Sequence, residues 1–196
     1  MATAELIDVE PEVEAVRLPD LFEVIYGEIV EVPEMSFYAV DIANILNAFM
    51  VQYLLTHRIG RCWVEQMFHI PVPDDESRLR RPDVAFISYE RLPKSRKNPL
   101  RGFAMDGIVP DLVVEVISPT DRVVDVHLKL AEYLNAGVRT VWVIVPLVCQ
   151  VFAYASPTDV RIFAAADLLD GGEILPGFSV RVVELFPETE DEPAGD

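Results

Sequence analysis

The chain has 196 residues, of which 51% are hydrophobic and 25% are charged, a balance that is ordinary for a single soluble globular domain. Its formal net charge of −17 argues at first sight against a nucleic-acid partner. The two distant cysteines, Cys62 and Cys149, exclude a disulfide framework and fit a reducing cytoplasm.

The acidity is concentrated at the two ends of the chain. Residues 1–34 hold ten acids against one base, and residues 184–196 hold six acids and no base, so that 17 acids face 15 bases in between. The first residues also lack the basic-then-apolar order of a signal peptide. The predicted organisation is a flexible acidic arm, one domain and a disordered acidic tail, over residues 1–18, 19–186 and 187–196.

A hairpin and a long helix open the predicted domain. Residues 22–32, FEVIYGEIVEV, alternate around Gly27 as two antiparallel strands would. A long apolar helix follows over residues 36–57, with Ser36 as its N-cap. Its most apolar run, residues 42–56, is shorter than the roughly 20 residues that a membrane span needs. We therefore predict a core helix or a dimer-interface helix, and no membrane.

Strands and one crossover make up the rest of the domain. The predicted strands include residues 61–73, 82–88, 111–117 and 139–146. A basic loop spans residues 91–109, and a helix within residues 118–138 joins the last two of these strands. That spacing is typical of a parallel βαβ crossover, whereas the remaining strands favour hairpins. The sequence thus predicts a mixed sheet flanked by helices, an α/β or α+β domain.

Two of these strands each carry one carboxylate among apolar residues, Asp83 in RPDVAFIS and Glu115 in DLVVEVIS. An ionised carboxylate in an apolar strand must be paired, protonated or bound to a cation. If the two strands are neighbours, a Mg²⁺ ion between the carboxylates would relieve their repulsion and leave positions for water and a substrate phosphate. The alternatives are a capping role for Asp83 and a buried ion pair for Glu115.

The helix after Glu115 carries Asp125 and Lys129, four residues apart on one face. One interpretation is an exposed salt bridge between them, worth ~0.3–0.5 kcal/mol. The other directs Lys129 back to the strand end at Glu115, where an ammonium could orient or deprotonate an attacking water, or neutralise charge on a phosphate.

Four motifs in this order carry a resemblance to a known family: RPDVAF, PDLVVEVISPTDR, D-x-x-x-K-L-x-x-Y and AGVRTVWVIVP. They resemble the putative restriction endonuclease domain family of bacteria, which lies within the restriction-endonuclease-like PD-(D/E)XK nuclease superfamily. The resemblance runs from about Phe22 to Phe186. It implies a three-layer α/β core with a mixed sheet and a metal site at the sheet edge.

By this resemblance, Asp83 matches the aspartate of the motif and Glu115 its acidic residue, so both would hold the metal. The lysine of the motif would stand at Ile117, and in this family it is instead similar in place to Lys129. The resemblance also implies three supporting residues, Glu28, Ser118 and Asp125. The chain departs from the family pattern at two further positions, Tyr38 and Val145, where the family often has histidine and aspartate.

A basic segment over residues 78–101 has a local net charge of +6. A solvated loop and a surface that contacts the phosphate backbone of DNA are both open interpretations. The candidate nucleic-acid-binding residues are Arg78, Arg80, Arg81, Lys94, Arg96, Lys97 and Arg101. The three histidines are scattered, which disfavours a zinc site.

The leading hypothesis is an endonuclease that uses Mg²⁺, or Mn²⁺, to hydrolyse DNA, with Asp83, Glu115 and Lys129 as catalytic residues. A homodimer paired through the helix over residues 36–57 would let each subunit cut one strand. The rival is a catalytically silent interaction protein on the same fold, whose acidic ends cover the basic surface or bind a basic protein.

Overall fold

The computed structural model describes residues 19–33, 35–95, 104–105 and 107–187. The predicted acidic arm and the predicted tail beyond Pro187 lie outside the described residues. The helices are α1 (Phe37–His57) and α2 (Val123–Asn135). In chain order, the strands are β1 (Phe22–Ile25), β2 (Glu28–Glu31), β3 (Gly60–Val64), β4 (Met67–His69), β5 (Leu79–Arg80), β6 (Val84–Ser88), β7 (Ala104–Met105), β8 (Leu112–Val116), β9 (Thr140–Val145), β10 (Gln150–Ser156), β11 (Asp159–Phe163), β12 (Leu168–Asp170) and β13 (Ser179–Arg181).

A six-stranded mixed sheet forms the centre of the domain, in the order β11-β10-β9-β8-β6-β3. Strands β8 and β9 are parallel and α2 connects them, so the predicted βαβ crossover is confirmed. The other pairs in this sheet are antiparallel. Because β8 is buried on both faces, its run LVVEV is nearly all apolar, and Glu115 is the exception.

Helix α1 covers one face of this sheet. The Ser36 hydroxyl accepts a hydrogen bond from the Ala39 amide at 3.2 Å, which confirms the predicted N-cap. The inward side of the helix packs on Leu112, Val114 and Val116 of β8, with Ile42, Leu46 and Met50 fully buried. By length and composition alone α1 could cross a membrane, but this face lies in the protein core. Pairing of subunits through its outer face stays a prediction.

Helix α2 and a second, smaller sheet cover the opposite face, so that the domain has three layers. Leu130 and Tyr133 of α2 pack on Val113 and Val141 of the central sheet. The smaller sheet has the order β2-β1-β5-β4-β7 and adds Phe68 of β4 to the same core. The hairpin predicted over residues 22–32 is confirmed as β1 and β2 of this sheet. The pairing of β1 with β5 places the hairpin near α2, so that a residue of β1 can contact the helix.

The single strand predicted over residues 61–73 is wrong. The chain forms β3 and β4 there, and these strands belong to different sheets. The break falls at Glu65, whose φ of 50° is left-handed and incompatible with a continuous strand. Helix α2 lies within the predicted residues 118–138, and at its start Arg122 takes the N-cap position without a side-chain hydrogen bond. Gly137 follows the end of the helix with a left-handed φ of 96°.

Candidate active site

Asp83 and Glu115 stand opposite each other on neighbouring antiparallel strands. Val84 of β6 pairs with Val114 of β8, so the next position of the register brings Asp83 beside Glu115. The start of β6 thus lies beside the end of β8, so both side chains lie at one edge of the central sheet, namely the end at which β6 begins and β8 finishes. The predicted proximity of the two carboxylates is confirmed, and both side chains are half-buried.

Asp83 is fixed by the backbone of the neighbouring strand. Its Oδ2 accepts a hydrogen bond from the Val116 amide at 2.5 Å. Burial, reinforced by the negative charge of Glu115, raises the pKa of Asp83 well above its ordinary value. Two acidic side chains that disfavour each other's ionisation form a site that gains from a cation.

Glu115 is held by two side chains of α2. Tyr133 donates its hydroxyl hydrogen to Oε1 at 2.7 Å, and Lys129 Nζ lies 3.3 Å from Oε2. Burial raises the pKa of Glu115, although Lys129 acts in the opposite direction. Lys129 and Tyr133 are one helical turn apart, so the same face of α2 supplies both contacts. Tyr133 was quoted in a sequence motif but was not predicted as a site residue.

Lys129 bridges two carboxylates rather than pairing with Asp125. Its Nζ lies 3.3 Å from Glu115 and 3.4 Å from Glu23, whereas Asp125 is exposed and closer to Arg122, at 3.9 Å. Burial alone would lower the pKa of Lys129, but the surrounding carboxylates raise it above the ordinary lysine value. The side chain is therefore an ammonium at neutral pH, and the exposed salt bridge with Asp125 is excluded.

Glu23 is a third carboxylate of the cluster, and the sequence analysis missed it. It lies on β1, is 3% exposed, and contacts Arg80 Nη1 at 2.5 Å and the Arg81 amide at 3.1 Å as well as Lys129. Burial opposes ionisation, yet Lys129 and Arg80 outweigh it and lower the pKa of Glu23. A signal was present, because FEVI places an acid among apolar residues just as LVVEV does.

The three predicted supporting residues lie outside this cluster of contacts. Glu28 is exposed on β2, and it is Glu23 on the partner strand of the hairpin that reaches Lys129. The Ser118 amide donates a hydrogen bond to Asp121 at 2.7 Å, which shapes the turn that leads into α2. Asp125 is exposed near Arg122. A direct role of Glu28 beside the carboxylate pair is thus not supported.

Arg78 and Arg80 are buried, so their predicted role as DNA-contacting residues is wrong. They are 5% and 6% exposed and belong to a network of ion pairs beneath α2. Arg78 pairs with Asp75 and Glu132, each at 2.9 Å, and Arg80 pairs with Glu23 and Glu132 at 2.5 Å and 2.6 Å. The hydrogen bonds to Asp75 hold the pKa of this buried carboxyl down at about 2. Net charge along the sequence did not reveal this network, because two of its three acids, Glu23 and Glu132, come from distant segments.

The remaining predicted DNA contacts divide into two groups. Arg81 is half-buried and donates a hydrogen bond to the Glu65 carbonyl at 3.1 Å, and Lys94 is exposed, with its Nζ 4.3 Å from the centre of the Tyr89 ring. Arg96, Lys97 and Arg101 lie outside the described residues. Lys94 is accordingly the member of the described group whose charge faces solvent.

The Arg80 network is expected to contribute strongly to stability. Replacing Arg80 with Met would leave Lys129 as the remaining cation beside Glu23 and Arg78 as the remaining cation beside Glu132, and we expect unfolding to become easier by about 3 kcal/mol, the lower end of the cost of breaking a buried ion pair. The matched control is Arg161→Met, which removes an exposed pair with Asp170 at 2.7 Å and should cost less than about 1 kcal/mol. Urea unfolding followed by circular dichroism measures both values, and equal losses in the two variants would contradict the expectation.

The carboxylate pair fits a hard divalent cation with incomplete protein coordination. Among the described residues there is no group of three or more His, Cys, Asp or Glu side chains arranged to hold a metal ion. Asp83 and Glu115 would supply two carboxylate ligands, and Mg²⁺ is commonly bound through one or two carboxylates with water and substrate phosphate completing the shell. Lys129, Tyr133 and the Val116 amide fix the orientation of both carboxylates, as supporting contacts do in metal sites.

A mixed sheet between two helical layers, with a carboxylate pair at its edge, defines an α+β protein of the restriction-endonuclease-like type. A solved structure has the same fold: a putative nuclease of the DUF820 family from Anabaena variabilis matches with a TM-score of 0.69 and 20% identity. The match covers 84% of this chain and 89% of the other.

The particular family follows from the sequence. The chain belongs to the Uma2 family, described as putative restriction endonuclease, whose profile matches residues 13–183 and so includes the whole candidate site. No curated protein matches the chain. The resemblance predicted from the four motifs is confirmed, and a nuclease is the general class to which family and fold point.

Proposed function

We propose that this protein is an Mg²⁺-dependent endonuclease that hydrolyses phosphodiester bonds of DNA. The observation that carries the proposal is the cluster of Asp83, Glu115 and Lys129 at one edge of the sheet, with Lys129 Nζ 3.3 Å from Glu115. Two carboxylates that repel each other, beside a fixed ammonium, suit a reaction in which a cation and a phosphate, rather than a neutral substrate, occupy the site.

Asp83 and Glu115 would hold the metal, and Mn²⁺ could replace Mg²⁺. The bound ion would supply charge for the phosphoryl oxygens and lower the pKa of an attacking water. Asp83 keeps its position through the hydrogen bond that its Oδ2 accepts from the Val116 amide, and its Oδ1 would be the ligand oxygen. Tyr133 and Lys129 fix the two oxygens of Glu115 and keep its carboxylate plane from rotating.

Lys129 acts as a permanent cation in this proposal. Its pKa is raised by Glu115, Glu23 and Asp83, so it carries a proton throughout the neutral range and is unsuited to take one from water. Glu23 keeps the ammonium beside the carboxylate pair at 3.4 Å, and Arg80 in turn fixes Glu23. The ammonium can orient the attacking water and stabilise the charge that develops on the phosphate.

The test is cleavage of supercoiled plasmid by the full chain. With Mg²⁺ or Mn²⁺ we expect nicked and linear products, and with excess chelator we expect none. Failure of the purified, folded chain to cut plasmid or single-stranded DNA above a chelated control, at any divalent ion tested, would reject the nuclease.

The permanent positive charge of Lys129 leads to a second expectation, which concerns substitutions of this residue. Lys129→Met should lower the cleavage rate about 100-fold, because the positive charge is lost, whereas Lys129→Arg should keep a larger part of the rate. If Lys129 were instead a general base, Arg would fail as completely as Met, because an arginine side chain does not release its proton in this range. The ratio of the Lys129→Arg rate to the Lys129→Met rate, measured at one pH with saturating Mg²⁺, distinguishes the two roles.

A catalytically silent interaction protein on the same fold is the second candidate. The burial of Arg78 and Arg80 favours it, because it reduces the exposed positive charge available to DNA in a chain of net charge −17. Under this alternative the acidic ends would bind a basic protein partner, and the carboxylate pair would bind the cation without catalysing cleavage. The cytoplasmic location and the homodimer stay predictions under both candidates.

A further inference from the structure

A cavity of about 240 Å³ lies between α2 and strands β9 and β10. Val126 and Leu130 line it from the helix, and Val143 and Phe152 line it from the strands. The side chains are mostly apolar, and Val123 in the first turn of α2, which also lines the cavity, is 71% exposed. None of the functions assigned to the carboxylate pair uses this space.

The register of the sheet places the cavity beside Glu115. Glu115 pairs with Val143 on β9, and Val143 pairs with Phe152 on β10, so the three side chains form one row on the same face. Strands lie about 4.8 Å apart, which puts Phe152 roughly 10 Å from Glu115 across the sheet. Asp121 joins the two regions, since it lines the cavity and its charge also acts on Asp83.

The chemistry of the lining selects among possible ligands. Two aromatic rings, Phe152 and Tyr154, offer faces for stacking, while the Asp121 carboxylate and the His127 imidazole add hydrogen-bonding groups. A planar ring with apolar faces and a polar edge uses both kinds of contact, and nucleobases are bound in this way by aromatic side chains. A purely aliphatic ligand would gain nothing from the two polar side chains, which are exposed to solvent.

We propose that this cavity is a nucleobase-binding subsite, which receives the base of a nucleotide whose phosphate lies at the carboxylate pair. The location of the phosphate rests on the proposed nuclease function, whereas the binding of a base rests on the cavity itself. Since a base inside a duplex cannot enter such a cavity, the substrate is single-stranded DNA or a duplex with an unpaired or extruded nucleotide.

The experiment measures binding to the full chain without any divalent ion, so that it does not depend on cleavage. Deoxyadenosine 5′-monophosphate and 2-deoxyribose 5-phosphate are compared by titration calorimetry, because the second has a hydroxyl group in place of the base of the first. The nucleotide should bind at least about fivefold more tightly, the lower end of what stacking of one base contributes.

Two substitutions, one at the end of β9 and one three residues after it, locate the effect. Val145→Trp fills the cavity that Val145 lines and should remove the preference for the nucleotide. Val148→Trp adds the same ring at an exposed position, 55% accessible, that does not line the cavity, and should keep the preference. Should Val145→Trp fail to fold, Tyr154→Leu removes a stacking ring and keeps an apolar side chain, with the same expected loss.

Three results would overturn the subsite. They are equal binding of the two ligands by the parent chain, an unchanged preference in both Val145→Trp and Tyr154→Leu, and a dimer in sedimentation that Val145→Trp separates, which would make a second copy the occupant. Asp83→Asn and Glu115→Gln should retain the preference for the nucleotide. A chain that binds the base but cuts no DNA therefore rejects the nuclease and keeps the subsite.

Discussion

Replacing Glu115 with Gln, or Asp83 with Asn, is expected to lower Mg²⁺-dependent cleavage of DNA by at least about 100-fold. Each change keeps the size of the side chain and removes one of the two charges that attract the cation. In Asp83→Asn the amide oxygen can still accept the hydrogen bond from the Val116 amide. In Glu115→Gln an oxygen remains for Tyr133. The loss would therefore report the missing charge rather than a lost fold.

The matched control for both variants is Glu31→Gln, an equally conservative change at an exposed residue of β2. Its initial rate of plasmid nicking should equal that of the parent chain at each Mg²⁺ concentration. Circular dichroism would verify that all three variants are folded. Parent-like nicking by Asp83→Asn or Glu115→Gln would remove that residue from the active site, and parent-like nicking by both would show that the cleaving site lies elsewhere.

The core of the site could be predicted because burial and charge conflict within short stretches of sequence. Glu115 in LVVEV and Asp83 before VAFIS are acids beside buried strands, and such acids need a partner. The position of Lys129 on the helix left two interpretations open, and the family resemblance favoured the one that places it beside Glu115, where its Nζ lies 3.3 Å from the carboxylate. An acid among apolar residues is visible within a few neighbouring positions of the sequence, so it can be recognised before the fold is known.

The residues that escaped prediction depend on long-range contacts. Glu23 joins the site because the hairpin is carried to α2 by pairing between Val24 and Leu79, which are 55 positions apart in the sequence. Arg78 and Arg80 were interpreted as surface charges because their partners Glu23 and Glu132 come from other segments. A run of like charge indicates neither burial nor exposure until those partners are known.

The pH dependence of stability offers a test of the carboxylate pair that does not require activity. The pKa values of Asp83 and Glu115 are raised in the folded state by burial and by neighbouring carboxylates. The folded chain therefore binds more protons than the unfolded chain between the ordinary and the raised pKa values. Stability from this pair is fully present below the ordinary carboxyl pKa and is lost as the pH rises through the raised values.

Asp83→Asn should consequently melt at a higher temperature than the parent chain at pH 8, and the difference should disappear near pH 4, where the parent carboxyl is protonated. Glu23 and Asp75 have lowered pKa values and produce the opposite slope, but they are common to both chains and cancel in the comparison. Differential scanning calorimetry across this pH range measures the effect. A melting difference that grows as the pH falls would contradict the assigned directions.

Added Mg²⁺ should relieve the repulsion between the Asp83 and Glu115 carboxylates and so raise the melting temperature. At pH 8 and about 100 times the dissociation constant, a cation that binds only the folded chain adds about 2.7 kcal/mol, or roughly 5–10 °C in melting temperature for a domain of this size. The rise should shrink near pH 4, where protons compete with the cation for Asp83 and Glu115. It should be absent in Glu115→Gln and retained in Glu31→Gln. An equal rise in melting temperature in all of these chains would mean that the cation binds the acidic surface generally. Specific binding of the cation by Asp83 and Glu115 would then be rejected.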